Sequence, residues 1–166
     1  MTSGSDRVGE HRERLSGRLR TSYGVPMTST PQQPCERVLI AGAVEDLPEV
    51  HRMLTELPET AYGQVFLEVA LEEQVRILPA PPGVTVTWLV RSDRPSLVSP
   101  LVFADHGEPL AQALVGWMGE WGLTGGEPCT SVWIGCSDSV WVDQARAALR
   151  AEFALAGHQV QVESGA

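Results

Sequence analysis

The sequence predicts an α/β protein: a three-layer sandwich with a mainly parallel sheet and helices on both faces. Three observations predict it. Short apolar runs read as strands buried on both sides, the mark of a parallel sheet covered by helices. Amphipathic stretches at helical spacing lie between those runs. Pro and Gly punctuate the boundaries where helices start and stop.

Taken in order, Arg37-Val38-Leu39-Ile40-Ala41-Gly42 is a short apolar run ending in Gly, the first strand. Leu47, Val50, Met53, Leu54 and Leu57 follow at helical spacing, with Pro48 in the first turn and Pro58 at the end. Gln64 to Val69 reads as the second strand, and Val84 to Val90 as the third, after the Pro-rich loop 79–83. Leu110, Leu114, Trp117, Met118 and Trp121 form the strongest helical stripe, opened by Pro109 and closed by Gly122. Ser131 to Cys136 is the fourth strand. Val142, Ala145, Leu149 and Phe153 give the last helix, with Asp138 or Ser139 as its N-cap and Gly157 past its end. Gln159 to Glu163 is a weak fifth strand. Ligands of such folds sit beyond the carboxyl ends of the strands. That places the candidate contacts at 42–48, 88–94 and 135–139.

Residues 1–36 read as a mobile tail and 37–166 as the folded domain. The tail holds five Arg, four acids and sparse aliphatic residues, too few to offset its ordering entropy. A basic arm for an acidic partner is the functional alternative, and a true start at Met27 is another. The domain carries seven Arg and seventeen acids. All twelve basic residues of the chain are Arg, and the formal net charge is −9. The acidic surface speaks against nucleic-acid binding. The absence of Lys excludes a lysine Schiff base and a P-loop. The odd cysteine count (Cys35, Cys129, Cys136) and the lack of a long apolar run point to a reducing, cytoplasmic setting with no membrane span.

Few constellations carry chemistry. The loop Gly42-Ala43-Val44 lacks the further glycines of a dinucleotide fingerprint. His11, His51, His106 and His158 are scattered, so no metal site is expected. Asp105-His106 reads as a solvated loop rather than an acid–base pair. Ser137-Asp138-Ser139 reads as a helix cap, since no G-x-S-x-G surrounds it. Cys136 reads as structural, because the nearby Asp138 opposes a lowered thiol pKa. Trp88, Trp117, Trp121 and Trp133 read as core, with ligand stacking by Trp88 or Trp133 as the alternative.

Several segments together resemble the C-terminal domain of siderophore-interacting proteins, the NAD(P)H-binding half of these ferredoxin-reductase relatives. The family's Ala-Gly-Asp-Glu-Thr-Ala-Leu-Pro-Ala-Ile is matched by Ala41-Gly42-Ala43-Val44-Glu45-Asp46-Leu47-Pro48-Glu49-Val50. Its Leu-Pro helix close is Leu57-Pro58, and its Gly-x-Val strand is Gly63-Gln64-Val65. Its Val-Thr-Trp-Leu-x-Arg stands intact as Val86-Thr87-Trp88-Leu89-Val90-Arg91. Its Val-Trp-Val-Ala-Gly-Glu is approached by Val132-Trp133-Ile134-Gly135-Cys136-Ser137. The resemblance spans roughly residues 37–163 and implies a Rossmann-like domain with five strands in the order 3-2-1-4-5.

The resemblance implies cofactor contacts at Gly42, Ala43, Val44, Glu45, Trp88, Arg91, Gly135, Cys136 and Ser137. It departs at the polar grip, where Ala43, Val44 and Glu45 replace Asp-Glu-Thr, and at Cys136-Ser137 in place of Gly-Glu. Arg91 is the candidate phosphate or carboxylate contact, against an exposed pair with Asp93. Glu45, Asp46 and Glu49 at the crevice mouth would repel a pyrophosphate, so NAD(P)H binding is expected to be weak. The family's flavin half is a β-barrel that a 36-residue tail cannot hold. No FAD is therefore expected on this chain alone, nor unaided reductase activity. Two readings follow: a nucleotide module that pairs with a separate flavin-containing partner protein in iron–siderophore reduction, or a degenerate interaction domain that has lost cofactor binding. The sequence leaves the oligomeric state open.

Overall fold

The computed structural model describes residues 36–99, 101–121, 130–156 and 160–164. The expected tail, Cys35, Cys129, His158 and the helix stops at Gly122 and Gly157 lie outside them.

Strand β1 (Arg37–Ala43) leads through a tight turn at Val44–Asp46 into helix α1 (Leu47–Glu56). Strands β2 (Tyr62–Val69) and β3 (Gly83–Val90) follow without an intervening α-helix. Helix α2 (Glu108–Trp121), strand β4 (Thr130–Ile134), helix α3 (Val140–Ala156) and strand β5 (Val160–Ser164) complete the order. The α/β class and the parallel sheet agree with the sequence reading. Strands β3, β2, β1 and β4 lie side by side, all parallel, and β5 is hydrogen-bonded along β4.

The period of two along a strand sorts β1 into two apolar layers. Leu39, Ala41 and Ala43 face one core with Phe66, Leu89, Leu110, Leu114, Trp117 and Leu149, under α2 and α3. Val38 and Ile40 face the other core with Val50, Leu54, Val65, Leu67 and Trp133, under α1. A fully buried Leu of this kind is worth about 2–5 kcal/mol against truncation to Ala. Trp117 packs on Phe153 with ring centroids 6.4 Å apart, and the Arg37 guanidinium lies 5.3 Å over the Trp117 ring. Trp133 is buried and Trp88 half-buried, both in the layer under α1. Trp141 is half-buried against the layer under α2 and α3. Among the described residues no helix is long and apolar enough to cross a membrane.

Parallel strands place all their carboxyl ends on one rim. Ala43, Val69, Val90 and Ile134 end there, and so do the amino ends of α2 and α3. The functional candidates therefore converge on that rim.

Candidate functional site

The centre of the rim is Asp46. Its Oδ2 accepts the backbone N–H of Ala43 at 2.9 Å and that of Cys136 at 2.9 Å, tying the end of β1 to the end of β4. Gly135 makes room for it, since a Cβ there would sit 2.3 Å from Asp46 Oδ2. In a dinucleotide-binding fold, backbone N–H groups at these strand ends and at the following helix are the donors that face phosphate. Here a carboxylate of the chain itself accepts two N–H groups at the strand ends.

A second internal carboxylate does the same at α2. Glu68 lies within the apolar run of β2, one residue before its end, and is 1% exposed. Its Oε1 accepts the N–H of Gly107 at 2.8 Å, and its Oε2 that of Leu110 at 3.3 Å. A buried carboxylate is costly unless hydrogen-bond donors surround it. Arg91 Nε lies 3.5 Å and His106 Nδ1 3.2 Å from Oε1, and they complete that shell. The alternative reading of Arg91 as an exposed partner of Asp93 thus gives way to an ion pair with Glu68. Asp93 instead accepts from the Ser92 hydroxyl. The reason is topological: Arg91 follows β3, which lies in register beside β2, with Val69 opposite Val90.

His106 is not a solvated loop residue, as the sequence reading expected. Its Nε2 faces Cys136 Sγ at 3.3 Å and Asp138 Oδ1 at 3.1 Å, on the side of the ring away from Glu68. Gly107, at φ 80°, turns the chain from His106 into α2 against Ser139. Ser139 donates its hydroxyl to the His106 carbonyl and accepts the Val142 N–H. Ser139 rather than Asp138 is therefore the cap of α3. Cys136 is held at φ 56° at the end of β4, a left-handed conformation rare outside glycine and asparagine. Burial pushes its thiol up to about 12, reinforced by the charges of Glu68, Asp138, Asp46 and Glu45. A thiol so protonated is a poor nucleophile at neutral pH, although Glu68, His106 and Cys136 stand in the order of a relay.

Arg146 secures the floor. Its guanidinium reaches from α3 to the carbonyls of Gly135 at 3.1 Å and Ile134 at 3.4 Å and to Asp143 at 2.7 Å. Glu108 secures the approach loop. It is buried and accepts the N–H of Asp105 at 2.9 Å and that of Leu97. Burial alone pushes this carboxyl up, but the donors Leu97, Asp105 and Ser96 outweigh it and hold it below the usual range.

Of the sequence-derived candidates, Gly42, Ala43, Gly135 and Cys136 are brought together around Asp46, with Arg91 reached through Glu68 and His106. Val44 is half-buried, and Glu45 and Ser137 are exposed on the same rim turns. Trp88 packs against the layer under α1. Sequence reasoning missed Glu68 and His106. The available signal was a single acid within the apolar run Val65-Phe66-Leu67-Glu68-Val69.

The fold and its rim define a doubly wound α/β domain whose strand-end N–H groups are engaged by its own carboxylates. The profile of the siderophore-interacting protein family matches residues 35–164, and the chain belongs to that family. It is 34% identical over 84 residues to the uncharacterized protein Rv2895c of Mycobacterium tuberculosis, covering 51% of this chain and 29% of that protein. The same figures hold for the uncharacterized protein Mb2919c of Mycobacterium bovis. The crystal structure of a siderophore utilization protein from T. fusca superposes with a TM-score of 0.54 at 25% identity, covering 78% of this chain and 44% of that one. The siderophore-interacting protein SipS from Aeromonas hydrophila matches at 26% identity, with a TM-score of 0.43 and 63% and 39% coverage. The chain thus spans less than half the length of these relatives.

Proposed function

We propose that this domain is an interaction module of the siderophore-interacting family that engages a flavin-bearing half, supplied from outside these residues, in cytoplasmic iron–siderophore reduction. In this reading its own NAD(P)H affinity is at most weak. The observation that carries it is Asp46: its carboxylate fills the place a phosphate would take on the N–H groups of Ala43 and Cys136. A pyrophosphate arriving there meets Asp46, Glu45 and, across the rim, Glu68 and Asp138. The cation best suited to offset them, Arg91, is already paired with Glu68. The residues present therefore do not fit the dinucleotide that the family resemblance implies.

The surface beside the rim supports the partner. Leu97, Val98, Leu101, Val102 and Phe103 are exposed on the loop that enters α2, and Val115 is exposed on α2 itself. Leu97 and Val115, with Trp141, line an apolar groove of about 400 Å³ between α2 and α3. Contiguous exposed apolar surface of this kind marks interaction sites. The T. fusca relative keeps more than half its length outside the matched region, and the family resemblance implies that the missing half is the flavin barrel.

Binding of a flavin-loaded barrel from a family member, followed by flavin fluorescence anisotropy, tests the reading. A saturable complex weakened at least ~10-fold (about 1.4 kcal/mol) by Leu101→Asp or Phe103→Asp is expected. Absence of a complex, or one indifferent to both substitutions, would overturn it.

A further inference from the structure

We propose that His106, Cys136 and Asp138 form a binding site for a divalent transition-metal ion of the zinc type, with Glu68 orienting His106 from behind. The three residues come from the α2 approach loop and the turn after β4, and their ligand atoms lie within 4.8 Å of one another. His106 Nε2 stands 3.3 Å from Cys136 Sγ and 3.1 Å from Asp138 Oδ1. Tetrahedral N, O and S ligands at ordinary zinc bond lengths lie ~3.3–3.7 Å apart. The two edges from His106 therefore need only a few tenths of an ångström of opening, and the Cys136–Asp138 edge lies within 4.8 Å.

The ring orientation is an independent observation. Glu68 already accepts the N–H groups of Gly107 and Leu110, so His106 Nδ1 meets a carboxylate acceptor at 3.2 Å. That turns Nε2 toward the thiol and the carboxylate. Nε2 then stands 3.1 Å from the Asp138 carboxylate oxygen and 3.3 Å from the Cys136 sulfur, three donor atoms that one cation could share. A carboxylate behind a histidine in front of a metal is the recurrent outer-shell arrangement, which fixes the tautomer and raises ligand basicity.

The surroundings favour a cation as well. Glu45, Asp46, Glu68 and Asp138 all lie close enough to Cys136 to act on its charge. Asp138 is 78% and His106 34% exposed in their side chains, while Cys136 is buried. An ion can thus enter from solvent and meet the sulfur last, releasing the thiol proton to water. The donor set of one thiolate, one imidazole and one carboxylate suits zinc over magnesium or calcium. Three protein ligands leave a fourth position for water or for a group of another molecule. Metal binding here is independent of the interaction-module reading and involves no nucleotide.

The test is titration of chelator-stripped, reduced protein with Co²⁺ and then Zn²⁺, followed by absorption. One equivalent of Co²⁺ should produce a thiolate-to-cobalt charge-transfer band and intense tetrahedral visible bands, both bleached by Zn²⁺. Cys136→Ser should abolish the charge-transfer band, whereas Cys35→Ser and Cys129→Ser should leave it. His106→Gln, Asp138→Asn and Glu68→Gln should each weaken binding, Glu68→Gln by ~10–100-fold. A wild-type protein without a thiolate–cobalt band at millimolar Co²⁺, or a band that survives Cys136→Ser, would overturn the site.

Discussion

Asp46 and Cys136 are 90 residues apart in sequence and joined by a 2.9 Å hydrogen bond from the Cys136 N–H to the Asp46 carboxylate. Because the same oxygen also takes the Ala43 N–H, one side chain closes the crevice between β1 and β4. Removing it should both loosen the rim and expose two anion donors. Asp46→Ala is expected to cost about 1–3 kcal/mol, the range for orphaning buried polar partners. The same variant should bind inorganic pyrophosphate more tightly than the native chain does. Thermal melts and calorimetric titration read the two effects separately, and an unchanged melt would show that Asp46 contributes nothing to the fold.

Glu108 should give the stability a definite pH dependence. Its folded-state pKa lies below the ordinary value, so its contribution is present above the usual glutamate range and disappears as pH falls through the folded pKa. The melting difference between native protein and Glu108→Gln should be largest near neutrality and shrink on acidification. A difference that grows on acidification would contradict the depressed carboxyl.

The Cys136 thiol should resist alkylation. With its pKa pushed up to about 12, its thiolate fraction at pH 8 is ~10⁻⁴, against a few tenths for an ordinary thiol. In metal-free protein, peptide-resolved iodoacetamide labelling should be slow at pH 8 and climb with pH well beyond the point where ordinary thiols level off. Rapid labelling at neutral pH would revive the relay of Glu68, His106 and Cys136 as nucleophilic machinery.

Gly107 should tolerate no side chain. At φ 80° a non-glycine residue is strained by about 1–3 kcal/mol, and a Cβ would lie 2.0 Å from Ser139 Oγ. Gly107→Ala should therefore lower the melting temperature and displace His106 together with the α3 cap. The nuclear magnetic resonance signals of the His106 ring report the second effect.

The order of strands and helices could be read from the sequence because each parallel strand is an apolar run and each helix an amphipathic stripe. The stripe from Leu110 to Trp117 and the run from Val38 to Ala41 bury their side chains as those periods require. The site was far less legible. His106 meets Cys136 across 30 residues, and Gly107 meets Glu68 across 39. Such contacts arise only once parallel pairing has brought all the strand ends to one rim. Arg91 was singled out from the motif, yet its partner could not be, because Glu68 and Asp93 look equally available in one dimension. Asp46 was read as one of several repelling charges, and its bonds to two backbone amides required the turn after β1 to be formed.

Calorimetric titration of the metal-free protein with NADPH and NADH tests most directly whether the rim is closed to a dinucleotide by the chain's own carboxylates. No heat and no shift in melting temperature at millimolar cofactor is the expected result. Binding at submicromolar concentration would contradict it.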